Sequence, residues 1–246
     1  MKNQQPEKRI SVCMATYNGE RYIQTQLESI LDQLTDDDEV VISDDGSDDA
    51  TLSIIERFGD NRITILHHNK QPRKFTIEYA ADNFENAMAH ARGRYIFLSD
   101  QDDRWLPGKV EKMLAALDGD ADVAVHDCRL VDGAGKMTYP SYFALRRPRF
   151  NTLRILIRPS HLGCCMAFRS DILGSVLPIP HPGIGHDLWI ALIASMKYRT
   201  ATIPDILVDY RKHEDCVTPL KSNNPLILKL KYRLCSLKAI LKYLFN

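Results

Sequence analysis

Three carboxylates within four residues form the strongest chemical feature of the chain. Asp100, Asp102 and Asp103 directly follow the apolar run 95–99, which predicts a buried strand. Carboxylates this close repel each other unless solvent or a cation neutralises them. Hard oxygen ligands suit Mg²⁺ or Mn²⁺, with phosphate oxygens filling the remaining positions. The cluster therefore predicts a divalent metal site that holds a phosphorylated ligand. The alternative is an acidic loop that caps the helix beginning near Lys109.

A second acidic pair follows another short apolar run. Asp44 and Asp45 come directly after residues 40–43. A carboxylate at the end of a strand can accept a hydrogen bond from the imide N–H of a nucleotide base. The same residues also allow a plain structural interpretation, in which Ser47 or Asp48 caps the next helix.

Two further positions could take part in chemistry. Asp187 opens a predicted helix, where the helix dipole stabilises its anionic form. It could act as a general base if an acceptor hydroxyl lies nearby, or it could simply cap the helix. His213 could ligate a metal, or it could have a structural role.

The elements that must position these residues alternate between strand and helix. Strands are predicted at 10–15, 40–43, 63–66, 95–99 and 123–126, with helices at 23–34, 52–58, 83–91 and 109–117 between them. This order predicts an α/β fold with a Rossmann-like, mostly parallel sheet and helices on both faces. Both acidic clusters fall at carboxyl ends of strands, where open α/β sheets bind ligands. Beyond residue 130 the alternation of strands and helices is no longer evident, and residues 139–158 are predicted to form an irregular excursion.

Composition excludes several classes of protein. The 246 residues carry no net charge, so no overall field favours a nucleic-acid partner. Six cysteines without a CxxC pair argue against a zinc site or a disulfide framework. The first nine residues are polar, and no window reaches the ~18 apolar residues of a membrane span. We therefore expect a cytoplasmic protein.

The C-terminal segment has a different character. Residues 226–246 carry leucine and isoleucine at helical spacing, and from Cys216 onward there are six Lys and Arg residues and no acid. A basic amphipathic helix of this kind can lie on an anionic membrane surface, here the inner face of the cell membrane. It could equally pack on its own domain or on a partner subunit, and the oligomeric state stays open.

Three ordered motifs resemble a known family. Residues Ser11–Gly19, Ile42–Asp49 and Ala91–Trp105 look like those of family 2 glycosyltransferases with the GT-A fold, and the resemblance covers about residues 9–215. Three later segments, 163–168, 186–189 and 210–213, look like bacterial rhamnosyltransferase-type members. No GxGxxG follows the first strand, so an ordinary dinucleotide-binding fold is not supported.

The resemblance implies roles for individual residues. The nucleotide-binding positions would be Ala15, Thr16, Tyr17, Asp45, Asp100 and Asp103. The ligands of Mn²⁺ or Mg²⁺ would be Asp102, Asp100 and His213, and Asp187 would deprotonate the acceptor. Acceptor contacts would come from Gly163, Cys164, His186 and Trp189. Two positions depart from the family pattern, since His186 stands where Glu is usual and Cys165 where Thr is frequent.

The resemblance also implies an activity and a domain organisation. An inverting enzyme would move a sugar from a nucleoside-diphosphate sugar, dTDP-rhamnose or another hexose donor, to a hydroxyl of a saccharide. That acceptor would be lipid-linked and belong to surface polysaccharide synthesis. Residues 1–215 would form the GT-A domain, with a nucleotide half at 9–130, an acceptor half at 131–215, and a helical segment at 216–246.

Two alternatives differ from this activity in class. A sugar nucleotidyltransferase would carry a glycine-rich basic phosphate loop after the first strand, where this chain has Thr16–Glu20. A catalytically inactive nucleotide-binding scaffold subunit would lack turnover. A donor-hydrolysis assay with metal separates this second alternative from an enzyme.

Overall fold

The computed structural model describes residues 8–214 and 225–245. The strands in these ranges are β1 (Lys8–Thr16), β2 (Glu39–Asp44), β3 (Ile63–His67), β4 (Gly93–Asp100), β5 (Arg104–Trp105), β6 (Val123–Asp132), β7 (Met137–Tyr139), β8 (Met166–Arg169) and β9 (Thr200–Lys212). The helices are α1 (Ile23–Leu31), α2 (Thr51–Arg57), α3 (Thr76–His90), α4 (Lys109–Asp118), α5 (Tyr142–Arg146), α6 (Thr152–Ile157), α7 (Leu173–Val176), α8 (His186–Lys197) and α9 (Leu226–Phe245).

One mixed sheet runs through the domain in the order β3-β2-β1-β4-β8-β6-β9-β5, with β7 paired to β6. The pairs β1–β2, β2–β3, β1–β4 and β6–β9 are parallel, whereas β8 is antiparallel to both β4 and β6. The predicted α/β fold with a mostly parallel sheet is therefore confirmed.

Several elements lie outside what the sequence pattern predicted. The strand β8 separates β4 from β6, although β6 was expected simply to continue the alternation. A segment as short as Met166–Arg169 cannot be assigned to a strand by periodicity alone. The long strand β9 was not predicted either, and the supposed irregular excursion at 139–158 contains the short helices α5 and α6. The helix α3 begins seven residues before its predicted start at 83.

Both faces of the sheet are buried, which explains the continuous apolar runs in its strands. Val12 and Met14 of β1 point into a core beneath α1 and α4, while Cys13 between them points into a second core beneath α3 and α8. Alternation of side chains along a strand produces this division. The five cysteines in the described ranges are free thiols, and four of them are buried.

This topology brings several loops to one edge of the sheet. Strands β1, β2, β4, β6 and β9 run in one direction, so their carboxyl ends share an edge. The antiparallel strand β8 begins at that edge, and the 3-10 turn Gly163–Cys165 precedes it. A helix that leads into a parallel strand also starts there, which places the first turn of α8 beside the acidic loop.

The C-terminal helix α9 docks on the second core through one face. Ser236 and Ile240 are buried, and the Tyr243 ring packs edge-on against Trp189 with centroids 5.6 Å apart. Tyr232 contacts Phe75 at 5.0 Å between ring centroids. None of the helices within the described residues is both long and apolar enough to cross a bilayer.

Two buried histidines support the turn at Gly163–Cys165 from below. His126 of β6 and His161 line one small cavity, together with Cys165. Neither ring nitrogen of His161 has a hydrogen-bond partner among the described residues, and the ring packs on Phe150 at 4.6 Å between centroids. Burial lowers the pKa of His161 to about 4 from the ordinary 6.5. This histidine is therefore neutral in the folded protein at any pH well above 4.

We expect His161→Phe to make the free energy of unfolding less sensitive to acid. The unfolded chain binds a proton at His161 below pH 6.5, whereas the folded chain resists it down to about pH 4. Between pH 7 and pH 5 this difference removes about 2 kcal/mol from the parent but not from the variant. Urea unfolding at the two pH values measures it. His67→Phe, at an exposed position, is the control and should keep the parent's pH dependence. A His161→Phe variant with that same dependence would contradict the prediction.

Candidate active site

The acidic loop after β4 is fixed to the end of β9 by backbone contacts. The Arg211 amide donates to Asp103 Oδ1 at 2.9 Å, and the Arg211 guanidinium Nε donates to the Asp102 carbonyl at 2.8 Å. Pairing of Arg104 with Asp209 continues this connection. Asp103 is 1% exposed, so its carboxylate faces inward and anchors the loop.

The anchored loop brings Asp102 to His213. Asp102 Oδ2 lies 2.8 Å from His213 Nε2, and the Tyr22 ring packs on the imidazole at 4.9 Å between centroids. Neighbouring ligands of an octahedral ion with 2.0–2.1 Å bonds lie about 3 Å apart. The spacing of this oxygen and nitrogen therefore fits a small divalent cation bound by both.

A second group of ligand atoms lies next to this pair. One ligand atom each from Asp100, Asp103 and Cys164 fall within 4.8 Å of one another. Burial in the cleft, with the charge of Asp102 adding to it, raises the pKa of Asp100 to about 7. A hydrogen bond with Cys165, then burial, raises the pKa of the Cys164 thiol well above its ordinary value. The protonated thiol is a poor ligand, so the carboxylates and His213 form the donor set, which suits Mg²⁺ or Mn²⁺.

The two residues of the second acidic pair, Asp44 and Asp45, make different contacts. The Asp44 carboxylate accepts hydrogen bonds from Thr16 Oγ1 at 2.8 Å and from Ser47 Oγ at 2.6 Å. It therefore holds the two loops together beneath the surface. Asp45 Oδ1 lies 2.5 Å from His68 Nδ1, and its backbone amide donates to the Thr16 carbonyl at 3.0 Å. The Asp45 side chain therefore pairs with His68, and its backbone amide joins the loop after β2 to the end of β1.

Gln101 joins the loop after β1 to the acidic loop, a role that the sequence did not indicate. Its side-chain amide accepts from the Tyr17 backbone N–H and donates to the Tyr17 carbonyl, each at 2.9 Å. The exposed Tyr17 ring carries the Lys70 ammonium 3.9 Å above its centroid. Gln101 is the one uncharged residue among residues 100–103, and this was the only sign in the sequence that its role differs from that of its neighbours. Ala15, half-buried, and Thr16, buried, lie just before this ring.

Asp187 reaches the same cleft from the first turn of α8. Its Oδ1 accepts from the Leu188 amide at 2.7 Å, and the side chain is half-buried. The charge of Asp187 contributes to the raised pKa of Asp100 and, after burial, to the raised pKa of Tyr142. Asp187 therefore lies at the same carboxyl edge of the sheet as the acidic loop, in the first turn of the helix that leads into β9.

His186 and Trp189 turn away from Asp187 into the second core. The His186 ring stacks on Phe84 with centroids 3.9 Å apart, and the Trp189 indole N–H donates to the Val176 carbonyl at 2.9 Å. Both are almost completely buried. This placement favours a packing role over contact with an acceptor.

Lys109 is a buried cation below the site. The sequence indicated only that a helix begins at this residue. Its ammonium donates to the Cys164 carbonyl at 2.8 Å and lies 3.9 Å from the Trp105 ring centroid. Burial lowers the pKa of Lys109 to about 8, although nearby Asp103 and Asp100 oppose the shift. The lysine holds the Gly163–Cys165 turn against the acidic loop.

Gly163 permits the close approach between that turn and α8. A methyl group built at Gly163 would lie 2.5 Å from His186 Nε2, closer than real contacts allow. The His186 ring lies between Phe84 and the turn, so it has little room to move. Only glycine lets the turn sit this close to the first residue of α8.

The chain is similar to known proteins in sequence and in fold. The sequence profile described as "Glycosyl transferase family 2" matches residues 11–177, which is more than half of the 246 residues. A dTDP-rhamnosyl transferase, RfbG of Shigella flexneri, is 38% identical over 107 residues, covering 42% of this chain and 36% of that protein.

Another relative and one solved structure extend the comparison. The Escherichia coli UDP-Glc:alpha-D-GlcNAc-diphosphoundecaprenol beta-1,3-glucosyltransferase WfgD is 32% identical over 111 residues, covering 44% of this chain and 40% of that protein. The mannosyltransferase PcManGT of Pyrobaculum calidifontis, in complex with GDP-Man and Mn²⁺, superposes with a TM-score of 0.64 at 23% identity, covering 95% of this chain and 64% of that one. This structural likeness establishes the fold. The chain spans well under half the length of both curated relatives.

We expect Gly163→Ala to lower the free energy of unfolding by about 1–3 kcal/mol, the usual cost of overpacking a filled interior. The matched control is Gly174→Ala, where a methyl group meets nothing within 4 Å among the described residues. That control should be neutral or slightly stabilising. Thermal unfolding of the two variants and of Gly163→Ala combined with His186→Ala tests the contact. Equal stability of the two alanine variants would show that the turn tolerates a side chain.

Proposed function

Because the chain belongs to the family 2 glycosyltransferases, we propose that it transfers a sugar from a nucleoside-diphosphate sugar to a saccharide hydroxyl with inversion at the anomeric carbon. One observation carries the proposal. The Asp102–His213 pair, the half-buried Asp100 and the base candidate Asp187 lie at one carboxyl edge of the sheet.

The donor diphosphate belongs at the acidic loop. Asp102 and His213, with Asp100 beside them, are the residues that would hold Mn²⁺ or Mg²⁺. Such an ion, when bound, supplies Lewis-acid neutralisation of the charge on a departing diphosphate. The complex of PcManGT with GDP-Man and Mn²⁺ supports this choice of cation. Asp103 contributes by fixing the loop, because its Oδ1 accepts from the Arg211 amide; its Oδ2 has no hydrogen-bond partner among the described residues.

The base and ribose belong beside β1 and β2. Tyr17 offers an exposed ring for stacking, and Asp45 offers a carboxylate that can accept the imide N–H of a pyrimidine. Ala15 and Thr16 form the floor between them. The name of RfbG supports a dTDP-rhamnose donor, whereas that of WfgD supports a UDP-hexose. We propose a pyrimidine nucleotide, with dTDP-rhamnose as the first candidate.

Asp187 acts on the acceptor. The acceptor oxygen attacks the anomeric carbon from the side opposite the diphosphate, and the C–O bond to phosphate breaks with its electron pair leaving on the diphosphate. The acceptor proton passes to an Asp187 carboxylate oxygen. This single displacement inverts the anomeric centre. Gly163 and Cys164 form the wall next to Asp100, where the acceptor sugar would lie.

The acceptor is a saccharide, and we propose that it is carried on a lipid diphosphate, as the name of WfgD states for that relative. Synthesis of a surface polysaccharide is the process that joins such substrates. A sugar nucleotidyltransferase is not favoured, because the loop Thr16–Glu20 lacks the basic residues that a phosphate loop needs. An inactive scaffold is an outcome of the experiments below.

We expect a nucleotide sugar to stabilise the protein in a way that depends on metal and on Asp102. A ligand at 100 times its Kd adds about 2.7 kcal/mol to the free energy of unfolding. Thermal unfolding with dTDP-rhamnose, UDP-glucose and their bare nucleotides, with and without Mn²⁺, identifies the donor. Asp102→Asn should lose the metal-dependent part of this stabilisation. Asp36→Asn, which changes an exposed acid distant in sequence from Asp102, should keep it. Full metal dependence in Asp102→Asn would remove Asp102 from the donor site.

We expect Asp187→Asn to reduce turnover by about 10²–10⁴-fold, the usual contribution of a general base, with donor affinity nearly unchanged. Isothermal titration gives the affinity, and release of the nucleoside diphosphate gives the rate. Asp171→Asn, at an exposed site before α7, is the matched control and should behave like the parent. Loss of donor affinity in Asp187→Asn would contradict its role as base. Absence of both transfer and donor hydrolysis in the parent would identify an inactive scaffold.

A further inference from the structure

The helix α9 carries a stripe of apolar side chains that faces away from the domain. The residues of this stripe recur at alternating steps of three and four, which at 100° per residue places them on one face. They are between 43% and 80% exposed: Ile227, Leu230, Leu234, Leu237, Leu241 and Leu244. The opposite face, with Ser236 and Ile240, holds the helix on the domain. Exposed apolar surface of this extent usually marks a binding site.

A second element enlarges this exposed region. Leu153 and Ile157 of α6 are separated by one helical turn, and each is 67% exposed. The helix α6 lies beside α9, where Arg233 Nε donates to the Ile157 carbonyl at 3.2 Å. We call the α9 stripe together with Leu153 and Ile157 the two-helix surface. Its two helices, α6 and α9, are about 70 residues apart along the chain.

The charged residues of α9, of α6 and of the positions that flank α6 have one sign. Lys231, Lys238 and Lys242 are exposed and lie along one edge of the α9 stripe, since they are seven and four residues apart. The α6 side carries exposed Arg149 and Arg158. The helix α9 contains no Asp or Glu.

This charge pattern decides between two occupants of the surface. A second copy paired in the antiparallel direction would bring the two lysine edges together, and one paired in parallel would bring the lysine edge against the side that carries Arg233. Like charges at such positions oppose pairing in both directions. An anionic lipid surface would satisfy the lysines and bury the leucines together. We propose that the two-helix surface lies on an anionic lipid bilayer, with α9 in the plane of the interface.

The surface also has a fixed relation to the candidate active site. Thr152 of α6 and Ser195 of α8 share a hydrogen bond of 2.8 Å between their hydroxyl oxygens, and Asp187 lies in the first turn of α8. The bilayer contact is thus built on the helices that form the acceptor side. Access of a lipid-linked acceptor along this route rests on the proposed function, whereas lipid binding itself does not.

Co-sedimentation of the full chain with lipid vesicles tests the proposal. We expect binding to vesicles of phosphatidylcholine with about one third phosphatidylglycerol, weak binding to phosphatidylcholine alone, and weaker binding at high salt. Replacing Lys231, Lys238 and Lys242 by Gln should weaken partition to the anionic vesicles by about two orders of magnitude. Replacing Leu234, Leu237 and Leu241 by Gln should abolish binding to both kinds of vesicle.

Controls separate a loss of vesicle binding from a loss of folding or of donor binding. All six replaced side chains are exposed, so thermal unfolding and stabilisation by the donor should match the parent. Met137→Gln, at an exposed apolar position on β7, should bind vesicles like the parent. Vesicle binding that survives the leucine replacements would overturn the proposal. A parent dimer that the same replacements dissociate, in sedimentation without vesicles, would overturn it in favour of a second copy.

Discussion

The site depends on holding three carboxylates together against their mutual repulsion. Asp100, Asp102 and Asp103 follow one strand, and each is oriented differently by its contacts. Asp103 turns inward to the Arg211 amide, Asp102 faces His213, and Asp100 remains in the cleft with a raised pKa. Pairing of β5 with β9 enforces these orientations. A cation is the natural partner of the two carboxylates that remain in or beside the cleft, because it removes the repulsion that the backbone contacts only restrain.

The antiparallel strand β8 determines what faces this acidic loop. Because β8 runs against its neighbours, it begins at the ligand-binding edge and brings the turn at Gly163–Cys165 under Asp100. Lys109 holds that turn from below through the Cys164 carbonyl. The helix α8 then starts at the same edge and presents Asp187. A fully parallel continuation would have left the acceptor side without this wall.

The sequence predicted β1, β2, β3, β4 and β6 and placed both acidic clusters at carboxyl ends of strands, because apolar runs and acidic clusters are local signals. It missed β8 and the buried roles of Lys109 and Asp103, since charged residues are ordinarily assigned to the surface unless a partner is known. Their partners are backbone groups 55 and 108 residues away along the chain. Trp189 and His186 were expected near the acceptor, yet the packing of α8 turns both into the core. Direction of a side chain at a helix start is set by tertiary contacts that spacing alone does not contain.

Local rules fail in this protein mainly around the acceptor side. The His161 imidazole, whose two nitrogens have no partner among the described residues, the buried Lys109 and the exposed leucines each cost stability or solubility where they occur. Such violations cluster where function competes with folding. On the donor side, by contrast, Asp44, Thr16 and Gln101 satisfy one another and the backbone. The hydrogen bonds between these loops suit the compact donor that we propose on one side, and the exposed apolar residues on the other side suit the large acceptor that we propose there. The two-helix surface extends that partner region beyond the cleft to the outer face of α6 and α9.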